Sequence, residues 1–181
     1  MLYRFVIISD EKDEFRRDIL IDSEATFFEL HDAILDSVSY EKDQVTSFFI
    51  CNEDWEKETE ITLVEMDTNS DEDSYVMNTT RLNELLDEEG MRLIYVFEPV
   101  TERVFFIELK EIITGKTQEK PECIKSTGTP PAQITDFNEI DTGTLGATNA
   151  EINSIFDEEE ASLDEYDDFE DLHEDNQFEE Y

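Results

Sequence analysis

Thr26-Phe-Phe-Glu-Leu-His-Asp-Ala-Ile-Leu-Asp-Ser-Val38 decides the fold class. Thr26 followed three residues later by Glu29 is a capping box, the hydroxyl covering an orphan amide and the carboxylate reaching back. Phe27, Leu30, Ile34, Leu35 and Val38 then return at three- and four-residue spacing, an apolar stripe down one side of a helix. His31 and Asp32 read as lying off that stripe, and the helix fades near Ser39. A helix with one apolar side must bury it against another layer, and the flanking sequence supplies that layer.

Upstream, Tyr3, Phe5 and Ile7 alternate with Arg4, Val6 and Ile8, a period of two that reads as a strand. Asp10-Glu-Lys-Asp-Glu14 makes a solvated turn, and Arg17, Ile19 and Ile21 resume the alternation, giving an antiparallel hairpin. Downstream, residues 46–51 and 60–65 read as strands joined by a polar loop containing Trp55. A short helix is expected over 82–87, capped by Thr79 or Thr80 and ended by Gly90. Residues 91–97 and 104–109 form a second hairpin turning around Glu98-Pro99. The pattern predicts an α+β fold over 1–113: a mixed or antiparallel sheet with one main helix on a face, β-grasp-like in arrangement. Residues 114–148, rich in Thr, Pro and Gly, read as an extended segment partly wrapping the core. Residues 149–181 read as an acidic, disordered tail.

The chain holds 50 Asp and Glu against 13 Lys and Arg, a formal net charge of −37 over 181 residues. Fifteen of those acids fall between Ala150 and Tyr181, where no Lys or Arg occurs. Such a field repels nucleic-acid phosphates and anionic membranes and attracts basic proteins. The expected partner is a basic or hydrophobic-grooved protein, with no direct nucleic-acid contact and no membrane. Cys51 and Cys123 sit at no metal-ligand spacing, and two free thiols in a reducing compartment is the simpler account. Met1 leads straight into strand alternation, without the basic region and apolar stretch of a signal peptide. No apolar run approaches the ~20 residues that span a bilayer. A cytoplasmic location is expected.

Motifs for chemistry are weak. Asp67, Asn69, Asp71 and Asp73 alternate as a calcium loop begins, yet the sixth position is Glu72 and the twelfth Asn78, so the stretch reads as a solvated acidic loop. His31 and His173 are the two imidazoles, and neither is spaced to activate a nucleophile; His31 reads as a partly exposed helix residue. There is no Gly-rich phosphate loop, no Gly-x-Ser-x-Gly elbow and no His-Glu-x-x-His. The expectation is a protein that is no enzyme, with no catalytic, cofactor-binding or metal-binding residue.

The tail is more informative. Leu163, Tyr166, Phe169 and Leu172 recur every three residues among acids, and Ile152, Ile155 and Phe156 state the same theme earlier. Acidic–hydrophobic alternation keeps apolar groups solvated and available to a partner. The four residues are the candidate partner-binding site. Lys110, Lys116, Lys120 and Lys125, the one concentrated basic stretch, could alternatively hold the tail in cis. A second functional reading is a nucleic-acid mimic, whose surface acids occupy a basic DNA-binding protein. An uncharacterised enzyme, requiring a pocket around His31 or Tyr40, is the third.

Three stretches carry a resemblance: Arg17-Asp-Ile-Leu-Ile21 with Thr26-Phe-Phe-Glu-Leu-His-Asp-Ala-Ile34, then Tyr95 through Leu109, then Pro121-Glu-Cys-Ile-Lys-Ser-Thr-Gly-Thr-Pro-Pro131. On these the chain resembles the plasmid pRiA4b ORF-3-like family, over roughly residues 1–135. It departs from the family pattern at Tyr40 and Gln44, at Glu98-Pro-Val-Thr-Glu-Arg103 and at Ala132-Gln133. The resemblance implies a shared α+β scaffold and lends no catalytic residue.

Overall fold

The helix opens as its sequence dictates. In α1 (Phe27–Val38) the Glu29 amide donates to the Thr26 hydroxyl at 3.2 Å, and the Thr26 amide donates to the Glu29 carboxylate at 2.8 Å. The amides of Phe27 and Phe28 donate to the carbonyls of Thr80 and Met77, at 3.0 and 2.9 Å. Ser39, in the left-handed region at φ 57°, ends the helix. The computed structural model describes residues 1–65, 75–134 and 148–157.

Around α1 lies one mixed sheet: β1 (Leu2–Ile8), β2 (Arg16–Asp22), β3 (Ser47–Cys51), β4 (Lys57–Thr62), β5 (Tyr75–Val76), β6 (Arg92–Glu98), β7 (Arg103–Ile113) and β8 (Glu122–Thr127). Their spatial order is β5-β4-β3-β6-β7-β1-β2-β8, antiparallel throughout except for β4 beside β5. Among the described residues two further helices are α2 (Leu82–Leu85) and α3 (Asn149–Asp157). The class is α+β and mostly sheet.

Period two sorts the strand residues onto two faces. The front face, under α1 and α2, takes Tyr3, Phe5 and Ile7 of β1, Phe48 and Ile50 of β3, Leu93, Tyr95 and Phe97 of β6, and Phe105, Ile107 and Leu109 of β7. Phe27, Leu30, Ile34, Leu35 and Val38 meet them from α1. Aromatic rings pack across this face: Phe48 meets its register partner Tyr95 at 4.8 Å between centroids, and Phe97, at the β6 bulge, packs diagonally on Phe105 at 4.6 Å.

Several expectations change. Residues 114–148 do more than wrap the core, because β8 joins the sheet beside β2. Arg17 ties that edge to the helix: buried, it donates to the carbonyls of Thr127 at 2.6 Å, of Gly128 at 3.3 Å and of Ser37 at 3.1 Å. Gly128 is required there. Its φ is +66° and any Cβ would collide with the Glu14 carbonyl. Beyond it, the Tyr40 hydroxyl donates to the Pro131 carbonyl at 2.5 Å. The short helix begins from Arg81, whose amide donates to the Glu84 carboxylate at 3.0 Å, rather than from Thr79 or Thr80. The start of the expected tail is also ordered differently: residues 149–157 are α3, packed on the sheet's back face. The acidic loop Asp67–Asp73 lies outside the described residues.

Candidate partner-docking site

The back face is built by the same alternation. One row across four strands reads Phe49, Ile94, Phe106, Ile8, and the next reads Cys51, Arg92, Glu108, Val6. Val6, Ile8, Cys51, Ile94 and Val96 are buried, with Phe49, Val104 and Phe106 half-buried around them. Burial pushes the Cys51 thiol up to about 11, so it stays protonated and acts as packing. Toward β2 the same face turns polar: Asp18 accepts from Arg16 at 2.6 Å and from Arg4 at 3.2 Å, and Glu111 accepts from Arg4 at 3.0 Å. The apolar part therefore has a boundary.

α3 covers that apolar part. Its N-terminus carries its own capping box, the Thr148 amide donating to the Glu151 carboxylate at 2.6 Å and the Glu151 amide donating to the Thr148 hydroxyl at 3.4 Å. Ile152 and Phe156 point into the sheet and are buried, and Ile155 packs beside them. Each buried side chain contributes about 1.5–3 kcal/mol by its removal from water.

Three polar anchors orient the helix. The Asn149 amide group donates to the Asp54 carbonyl at 2.7 Å, the Trp55 indole donates to the Asn153 side chain at 3.0 Å, and the Lys110 ammonium donates to the Phe156 carbonyl at 3.3 Å. Lys110 thus places a positive charge at the helix C-terminus, where the macrodipole favours it. The same ammonium lies 3.4 Å from Glu108, which is itself 4.0 Å from Arg92.

Trp55 is the centre of the arrangement. The loop expected to be merely polar buries this residue between Phe106, edge-on at 5.0 Å, and Phe156, stacked at 5.8 Å, with the Arg92 guanidinium 5.1 Å from its ring. Its backbone sits in the left-handed region at φ 62°. For a bulky residue that conformation costs roughly 1–2 kcal/mol. Asn52 holds the turn, its side-chain oxygen accepting from the amides of Asp54 at 2.9 Å and Glu56 at 3.0 Å.

His31 belongs to the front face. Expected to be partly exposed, it is buried, 2 % exposed, with Nδ1 at 2.7 Å from the Tyr95 hydroxyl and 3.2 Å from the Thr46 hydroxyl. Burial lowers its pKa from the ordinary 6.5, against the weaker pull of Asp32. Its position four residues after Phe27 and three before Ile34 places it on the stripe, a spacing that could have located it. Tyr40 stacks on Phe105 and packs tilted against Phe97, under the Pro131 segment. His31 and Tyr40 are thus parts of a filled sheet–helix interface. Two shallow grooves lie elsewhere, one between the end of β2 and residues 117–119, the other between α1 and the start of β8.

Leu163, Tyr166, Phe169, Leu172 and His173 lie outside the described residues. Of the four lysines of the basic stretch, Lys110 contacts α3. Both cysteines are free. Among the described residues no His, Cys, Asp and Glu are grouped to hold a metal ion, and no helix is long and apolar enough to cross a membrane.

Comparison with known proteins adds the family and the fold. No curated protein matches the chain. A crystal structure of a protein of unknown function from Methanosarcina mazei Go1 is similar at a TM-score of 0.54 and 16% identity, covering 91% of this chain and 84% of that one. The model of the plasmid pRiA4b ORF-3-like protein family matches residues 3–170, in agreement with the three stretches of resemblance, and the chain belongs to that family.

Proposed function

We propose that the chain is a non-catalytic protein-interaction module, whose acidic–apolar stretch at Leu163, Tyr166, Phe169 and Leu172 docks on a basic or apolar-grooved partner. One observation carries this reading. The earlier occurrence of the same theme, Ile152, Ile155 and Phe156 among acids, is a docking helix: its apolar side lies on a hydrophobic floor and a lysine meets its C-terminal carbonyl. The later stretch has the same chemistry, and α3 already occupies the back-face floor. A partner offering an apolar groove rimmed by Lys or Arg satisfies it, and the net charge of −37 speeds the encounter with a basic surface.

Two finer readings accompany it. The order β1–β2 hairpin then α1, with α1 packed on one face of the sheet, supports a β-grasp-like description. The unpaired Cys51 and Cys123 support residence in the reducing cytoplasm.

Removing residues 158–181 tests the module. The truncated chain is expected to keep its thermal transition and its Trp55 emission while losing capture of the partner that full-length protein retains. Tyr166→Ala with Phe169→Ala in the full chain should reproduce the loss. Undiminished capture by the truncated chain rejects the reading.

A further inference from the structure

The face beneath α3 is more than an apolar patch that happens to be covered. Asp54, Trp55 and Lys110 present an acceptor, a donor and a cation in order along the helix, matched to Asn149, Asn153 and the Phe156 carbonyl. Trp55 is held in a left-handed backbone that glycine would adopt without strain, a local cost that the packing of its indole offsets. Together these make a receptor for one helix sequence.

The occupant is weakly committed to its own chain. A helix of nine residues does not persist alone in water, and this one buries only Ile152 and Phe156 fully. It therefore forms on docking and opens more easily than the strands beneath it. Lifted away, it leaves Val6, Ile8, Trp55, Ile94, Val96 and Phe106 as one contiguous apolar surface, the kind that recruits a partner.

We propose that this face binds α3 in trans, and that its partner is α3 of a second copy of the chain. A second copy presents the same Asn149, Ile152, Asn153 and Phe156 in the same order, so every contact made in cis is remade without loss, which is the low-cost route to an exchanged dimer. The residues numbered 135–147 set the reach: thirteen residues extend to at most about 45 Å. The eight described strands together span roughly 35 Å, so a linker of that reach clears the width of its own sheet. Charge opposes the encounter, since each copy carries −37. Exchange is therefore favoured by concentration and by salt, which screens the repulsion. Residues 158–181 take no part, and the proposal stands apart from the function proposed for them.

Trp55 is the chain's one tryptophan and lies under α3, so its emission reports occupancy directly. In full-length chain carrying Ile152→Asp and Phe156→Asp, the emission is expected to shift to the red. A synthetic peptide of residues 148–157 should restore it, while the same peptide with Phe156→Ala should not. No recovery at saturating wild-type peptide overturns the proposal. Should the double variant fail to fold, sedimentation of the wild-type chain decides. A dimer that grows with protein concentration and salt, with Trp55 emission unchanged, supports exchange. A monomer under all those conditions, or a dimer whose Trp55 is exposed, refutes it.

Discussion

The two faces of the sheet come from the same alternating strands, yet they are closed in different ways. The front face is sealed by α1, whose twelve residues contribute six buried side chains and whose first amides are satisfied by residues 77–80 of the same domain. The back face is sealed by α3, with two buried side chains in nine residues and hydrogen bonds that come mostly from side chains. The difference teaches that burial of a strand residue does not report how firmly its cover is attached. Ile94 and Leu93 are neighbours with 6% and 0% exposure, but one depends on a cover that can leave. Stability is expected to be graded accordingly, global for the front and local for the back.

The strongest way to break that contrast is at the front. Phe105→Ala removes a ring packed against Phe15, Phe97 and Tyr95, and should destabilise the whole domain by about 3–5 kcal/mol, read as a lowered denaturant midpoint. Phe156→Ala deletes an equally large buried ring from the back, but its effect on global unfolding is limited to the docking free energy of α3, because the helix can detach instead. The midpoint should move less than for Phe105→Ala, while Trp55 emission shifts to the red. Equal midpoint shifts would erase the distinction between the faces.

Acidification sharpens the comparison from the other direction. His31 is buried beside Tyr95 and Thr46, with Asp32, Asp36 and Lys42 the charged groups acting on it, and its pKa is depressed. The unfolded chain binds the proton near 6.5, whereas the folded chain binds it only at lower pH. The stability that neutral His31 supports is therefore complete above about pH 6.5 and is lost as pH falls below it. The midpoint should decline as pH falls below about 6.5 more steeply than in His31→Gln, with no change in Trp55 emission, since α3 lies on the opposite face. The smallest effect is expected from Lys110→Met. Losing a cation from the helix C-terminus removes about 0.3–1 kcal/mol, visible as faster amide exchange in α3 rather than as a shifted midpoint.

The front face was legible because its signals are dense. The Thr26–Glu29 box, the stripe from Phe27 to Val38 and the alternation of β1, β6 and β7 each required a buried surface on a known side. His31 was misread because a polar residue on a stripe was set aside by type rather than placed by spacing. β8 carried no pattern to read: all six of its residues are exposed, and it is defined by backbone pairing with β2 and by the contacts of Arg17. α3 was hidden by its acidic surroundings, although Thr148 and Glu151 form the same capping box that announced α1. Trp55 lay in a loop of charged residues, and its burial depends on a helix nearly a hundred positions later, a partner that no local reading supplies.

Native-state hydrogen exchange on the full-length chain tests the central claim most directly. The amides of α3 are expected to open with a free energy well below that of β1, β6 and β7, and to remain insensitive to low denaturant, as local opening requires. If the α3 amides instead exchange at the same free energy as those central strands, and only by global unfolding, the back face is sealed as firmly as the front and the account is wrong.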